Sequence, residues 1–176
     1  MDAQAQEALN FIANNVGMER HAFGHFHKAM RAGYSTSPQK GTLVELPGSK
    51  TIEYRHNGWR VLDMYFVGPD GEYSGGTTTM WYGPIPIWMM QYLGRYEKEA
   101  IPCLKAALSS TYMPGQFNGG RGPDCFPYEG YVYINAVEKE GFVNAAGIER
   151  IFDLMSGREV GSHRYQSQWL VGRSAR

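Results

Sequence analysis

The feature that most constrains this chain is a change in hydrophobic period. After two helix-like stretches, the apolar residues stop recurring every three to four positions and begin to alternate. Alternation places successive side chains on opposite faces, which is the signature of strands. Residues 51–56 read as a strand. Asn57-Gly58 supplies the positive-φ chemistry of a two-residue hairpin, and residues 59–67 read as its partner. Residues 77–82, rich in β-branched and aromatic side chains, form the next strand, and Gly83-Pro84 turns the chain into residues 85–93. Further strands are read at 131–138, 148–155 and 159–171. On the 59–67 strand both faces are largely apolar, so it is expected to be central and covered on two sides.

Three segments carry helical spacing. Residues 3–14 place Ala8, Leu9 and Ile12 close to one face, and Gly17 interrupts them. Residues 19–32 repeat Phe23, Phe26, His27, Met30 and Arg31, with Gly33 placed as a C-terminal stop. Residues 96–109 align Ala100, Leu104 and Leu108, with Pro102 tolerable in a first turn. Residues 35–41 read as a loop containing Pro38. Helices followed by runs of strands give an α+β fold: a mainly antiparallel twisted sheet or partial barrel with an extra N-terminal helix. One domain over residues 1–176 is expected, with residues 1–20 as a helical extension.

The order helix, strands, glycine turn, strand recurs. Asp63 corresponds to Asn135, Gly76 to Gly147, Gly83 to Gly157 and Tyr92 to Tyr165, all at spacings of roughly 70 to 75 residues. Two pseudo-repeated halves, 21–95 and 96–176, are therefore expected, with a pocket where they meet.

Composition narrows the function. Basic and acidic residues balance at 17 each, so the chain lacks the overall basic field that neutralises nucleic-acid phosphates. Arg150, Arg158, Arg164 and Arg173 are read as a solvated basic end. Charged residues are only 19% and aromatics 14%, which fits an aromatic core that also lines a ligand site. Cys103 and Cys125 form no Cys-x-x-Cys pair, and two free thiols are the simpler expectation. The N-terminal residues lack a basic region followed by an apolar run, and no stretch has bilayer-spanning length. A cytoplasmic protein that contacts neither membrane nor nucleic acid is expected.

Several residues are candidates for chemistry. The loop Asn118-Gly119-Gly120-Arg121-Gly122-Pro123 frees backbone N–H groups, and the planar fork of Arg121 suits a carboxylate or phosphate. It matches no nucleotide-binding pattern. Asp63 lies between Val61 and Tyr65 on a face expected to be buried, and Glu149 opens an apolar strand. Buried carboxylates need partners, so an Asp63–Arg121 or Glu149–Arg121 pair is expected, with general acid–base chemistry as the alternative. Tyr65, Trp88, Tyr92 and Tyr133 complete the ligand-binding candidates from the aromatic set. His21 and His25 share a helix face but have no metalloprotease pattern around them, so no metal or other cofactor is assigned.

The chain from Phe26 to Val171 resembles the bacterial domain-of-unknown-function family 5680. The resemblance rests on Lys28-Ala29-Met30-Arg31-Ala32-Gly33-Tyr34, Pro47-Gly48-Ser49-Lys50-Thr51-Ile52-Glu53-Tyr54, Asp63-Met64-Tyr65-Phe66 and Trp88-Met89-Met90-Gln91-Tyr92-Leu93-Gly94. It continues in Arg121-Gly122-Pro123, Tyr133-Ile134-Asn135 and Ile148-Glu149-Arg150-Ile151. The sequence departs from it after Gly75-Gly76, where Thr77–Thr79 replaces an acidic residue, and at Tyr165-Gln166-Ser167-Gln168, where the family tends towards Tyr-His-Gly-Gly. The resemblance implies a bacterial protein and, through relatives fused to Cro/repressor-type helix-turn-helix domains, an effector-sensing role; it brings no assigned activity.

Three readings follow. The first is a small-molecule-binding, sensor-like domain. The second is an enzyme on a small anionic or aromatic substrate, with Asp63 or Glu149 as acid/base. The third is an interaction module, with a homodimer as its simplest form. Asp63, Glu149 and Arg121 opening into a cavity would favour the first two.

Overall fold

The computed structural model describes residues 2–14, 17–35 and 41–172. Helices α1 (Ala3–Asn14) and α2 (Met18–Ser35) precede a meander of four strands, β1 (Lys50–His56), β2 (Trp59–Val67), β3 (Tyr73–Tyr82) and β4 (Ile85–Tyr96). A 3-10 turn (Lys98–Ala100) leads into α3 (Ile101–Tyr112). A second meander follows, with β5 (Cys125–Tyr128), β6 (Tyr131–Lys139), β7 (Ala146–Asp153) and β8 (Glu159–Trp169). All pairs are antiparallel, in one eight-stranded sheet of order β1-β2-β3-β4-β8-β7-β6-β5. The sheet is open, with β1 and β5 at its edges, so the fold is the α+β open-sheet form and not a barrel. No helix among the described residues is long and apolar enough to cross a membrane.

The strand order reads the same from either end. Each half is a helix followed by four meandering strands, and the halves join through their last strands. One row of the ladder shows the symmetry directly: Tyr65, Gly76, Tyr92, Tyr165, Gly147 and Val137 lie side by side from β2 to β6. The approximate two-fold axis passes beside the Tyr92–Tyr165 pair. Tyr92 reaches across Gly76 to donate to Asp63 (2.7 Å), and Tyr165 reaches across Gly147 to donate to Asn135 (2.8 Å). Gly147 is required by close approach: a Cβ there would sit 2.3 Å from the Tyr165 hydroxyl.

The core lies on one face of the sheet, beneath α2 and α3. The larger cluster gathers Phe26 and Met30 of α2 with Val61, Met80, Trp88, Met90 and Tyr165. A smaller one gathers Cys103 and Ala107 of α3 with Tyr96, Tyr133, Ile151 and Val160. The opposite face is open to solvent. Burial along β2 therefore alternates, and the expectation that this strand is covered on both sides is corrected. Leu62, Met64 and Phe66 on its other face are apolar, but no layer among the described residues packs on them; Phe66 is exposed. That face is mixed in chemistry: exposed Leu93 is flanked by Gly75 and Arg164 in the ladder.

The third helix also differs from its expectation. Tyr96 ends β4 instead of starting a helix, because it pairs with Gly161 in the ladder and its ring is buried. Pro102 sits in the first turn of α3, where no hydrogen bond is lost. The two cysteines are free, Cys103 buried and Cys125 exposed on an edge strand. The expected 35–41 loop lies mostly outside the described residues, as does Arg173. The other arginines of the basic end meet carboxylates: Arg150 with Glu159, Arg158 with Glu97, and Arg164 with Glu138.

Candidate functional site

A cavity of about 580 Å³ opens between α3, the end of α2 and the β1–β4 half of the sheet. That volume lies within the range of small-molecule sites, roughly 300 to 1,000 Å³. Its polar floor is built by the ladder. β2 contributes Asp63 and Tyr65, β4 contributes Tyr92 and Tyr96, and β8 contributes His163. Arg121 enters from the glycine-rich loop after α3. Ile101, Leu104 and Leu108 of α3 form an apolar wall, with Lys50 and Lys105 also on its lining.

Of the residues singled out from sequence, Asp63, Tyr65, Tyr92 and Arg121 line this cavity. Tyr133 and Glu149 lie behind Arg121 and not on the lining. Trp88 lies apart, fully buried, with its ring stacked on Phe142 and its Nε1 donating to the Phe142 carbonyl at 2.7 Å.

Glu149 is the anchor of the site. It is fully buried and accepts hydrogen bonds from Arg121, from the Tyr96 hydroxyl (2.6 Å) and from the Tyr133 hydroxyl (2.6 Å). Burial alone would push its carboxyl up. The Arg121 guanidinium and the bonds from Arg121, Tyr133 and Tyr96 outweigh that and hold it below the ordinary value. Burial and the Glu149 charge in turn keep both phenols protonated. Of the two expected pairings, the structure contains Glu149–Arg121.

The loop around Arg121 is fixed in detail. Asn135 donates to the carbonyls of Asn118 (3.0 Å) and Gly122 (2.9 Å), the Gly122 N–H donates to the Tyr133 hydroxyl (3.0 Å), and Tyr112 donates to the Gly120 carbonyl (2.8 Å). Arg121 is 6% exposed, and its guanidinium lies over the Tyr92 ring, 5.4 Å from the centroid. Its Nε has no hydrogen-bond partner. Asp63, on the same floor, accepts from Thr78 (2.8 Å) as well as from Tyr92.

His163 is one of the lining residues that the sequence does not single out, with Tyr96, Ser74 and Lys105. It is 4% exposed, stacks against Tyr92 and packs on Tyr96. Its Nε2 lies 3.1 Å from the Ser74 hydroxyl, and its Nδ1 has no partner. Burial first, and the nearby Arg121 charge second, lower its pKa to about 4, so the ring is neutral at pH 7. The sequence signal was its place on the buried face of β8, in step with Tyr165.

A second depression, of about 960 Å³, lies beside α1 near Phe11 and Tyr82. Glu7 is its only charged lining residue, and it has no buried polar floor. No cluster of potential metal ligands occurs among the described residues. His25 is engaged otherwise, stacked on Trp59 at 4.6 Å.

No family model matches the chain, and comparison with curated proteins and with solved structures found no match.

Proposed function

We propose that the chain is a small-molecule-binding, sensor-like domain whose ligand occupies the cavity beneath α3. One observation carries this reading. The cavity sets a polar floor of Asp63, Tyr92, Arg121 and His163 against an apolar wall of Ile101, Leu104 and Leu108, the make-up of a small-molecule site. A ligand seated there buries its body on the α3 wall and meets the polar floor with its other end. The cytoplasmic setting and the kinship with the bacterial family 5680 belong to the same proposal.

The test is a thermal-shift screen of the wild-type chain against a broad metabolite library, repeated on Leu104→Trp, which fills the cavity from the α3 side. Binding to the native state alone raises the melting temperature. Compounds that stabilise the wild type and not the variant support the reading. A screen in which every hit persists in the variant removes it.

A second reading has one specific observation in its favour. Ser74 and His163 are in hydrogen-bond reach on the cavity lining, the geometry of a nucleophile and its base. A base with a pKa near 4 is weak at neutral pH, and no third group orients its Nδ1, so the binding reading is preferred. Turnover of an ester that Ser74→Ala abolishes would reverse that preference.

A further inference from the structure

The chemistry of the cavity changes from floor to mouth, and the change selects a class of ligand. On the floor the charged and ionisable side chains are already engaged. Arg121 is paired with Glu149, Asp63 accepts from Thr78 and Tyr92, and the His163 ring meets Ser74. An ion brought to that end would lose its water without gaining a free counter-charge, so the end of the ligand that reaches the floor is uncharged.

Between floor and mouth the walls are apolar. Ile52 of β1 and Val67 of β2 line the sheet side, and Ile101, Leu104 and Leu108 follow helical spacing along α3. These walls stabilise a ligand by taking its apolar surface out of water, and they set no direction for it. Direction has to come from the mouth. Lys50 opens β1 opposite Tyr65 in the ladder, which puts it on the cavity face. Lys105 stands one turn along α3 from Ile101. Both lysines are exposed, and neither forms an ion pair among the described residues. A third, Lys98 of the 3-10 turn, lies against Gly71 on the lining, with its Nζ 3.7 Å from where a Cβ on that glycine would stand.

Besides Asp63 on the floor, the lining holds one carboxylate, Glu72, and Arg95 stands 3.8 Å from it. Lysines from three elements therefore meet at the mouth without acids to neutralise them. An ammonium is a compact point charge, so it attracts a carboxylate, sulfate or phosphate head without demanding one shape. We propose that the ligand is an amphiphile with one anionic head, entering apolar end first. Its body lies on the α3 wall, its uncharged inner end meets the floor, and its head stays at the mouth with Lys50 and Lys105. This deepens the binding reading above and rests on it.

The experiment is isothermal titration calorimetry of the full chain at low ionic strength, with three probes that share one alkyl chain: octanoate, 1-octanol and octylammonium. Octanoate should bind at one site per chain, roughly three- to tenfold more tightly than octanol, because exposed ion pairs contribute little each. Octylammonium should bind more weakly than octanol. The double variant Lys50→Gln/Lys105→Gln, changed at exposed positions that do not threaten folding, should bring octanoate to the affinity of octanol and leave octanol as it was. Leu104→Trp should abolish the binding of both. Octylammonium binding as tightly as octanoate overturns the anionic head. A preference for octanoate that survives the double lysine variant overturns the place of the head at the mouth. Silence with octanoate, while a library compound is lost in Leu104→Trp, overturns the amphiphile and spares the binding function; no compound lost in that variant overturns both.

Discussion

The Arg121–Glu149 pair offers the sharpest test of how the site is held together. Both side chains are buried, and Glu149 is the acceptor for two phenols besides the guanidinium. Glu149→Gln keeps the shape and removes the charge, leaving the Arg121 cation in the core without a counter-ion. Breaking a buried pair from one side costs about 3 to 5 kcal/mol. Arg121→Met leaves the Glu149 carboxylate with only its two tyrosine donors and should cost a similar amount. The double variant Arg121→Met/Glu149→Gln leaves no stranded charge, so its cost should fall well short of the sum, with a coupling of about 2 kcal/mol or more. Against a total stability of roughly 5 to 15 kcal/mol, each single variant removes a large fraction. In a chain of this length it should lower the melting temperature by about 10 °C. Urea unfolding of the four proteins at pH 7 gives the cycle. Additive single effects would show that the pair is not coupled and that the loop is positioned by its backbone bonds alone.

Three further outcomes are expected. Tyr92→Phe should destabilise more than Tyr165→Phe, by roughly 1 kcal/mol, because its hydroxyl donates to the Asp63 carboxylate while Tyr165 donates to a neutral amide; equal losses in chemical unfolding would contradict this. His27 and His163 are buried bases whose pKa values burial lowers to about 4, with Arg31 and Arg121 adding respectively. The unfolded chain takes up these protons first, so stability is full above pH 6.5 and falls as the pH drops towards 4, by at most roughly 3 kcal/mol per histidine. His27 has no partner for either ring nitrogen, so His27→Leu should be neutral or stabilising and flatten the melting-temperature profile between pH 7 and 5; a steep, unchanged profile would refute it. Gly147→Ala should cost about 3 kcal/mol or more, because its Cβ would meet the Ala136 carbonyl at 2.6 Å as well as the Tyr165 hydroxyl, and a fully stable variant would show that β7 can shift aside.

Much of the fold was legible because period-two patterning and turn chemistry agree along the chain. Asn57-Gly58 marks the start of β2, and the matched spacing of Gly76 and Tyr92 with Gly147 and Tyr165 marks the two-fold row, with Asp63 and Asn135 as the acceptors of its two tyrosines. β5 was missed because Cys125-Phe126-Pro127-Tyr128 is short, holds a proline and follows a glycine-rich loop. Local spacing makes Tyr96 look helical because it does not register a ladder partner 65 residues on, Gly161. The site was half legible. A buried carboxylate must find a partner, which pointed to Glu149 and Arg121, but which residues face the cavity depends on the crossing of two distant helices. That is why His163 and Lys105 were overlooked, and why Trp88, with every attribute of a cage residue, packs against the protein's own Phe142.

The central claim is that the cavity beneath α3 is a ligand site. Its most direct test is a ¹⁵N-HSQC titration of the wild-type chain with the strongest stabilising compound from the thermal-shift screen. Saturable shifts concentrated at Ile52, Asp63, Gly71, Leu104, Arg121 and His163 are expected. Shifts confined to α1 and the open face of the sheet, with these amides unmoved, would contradict it.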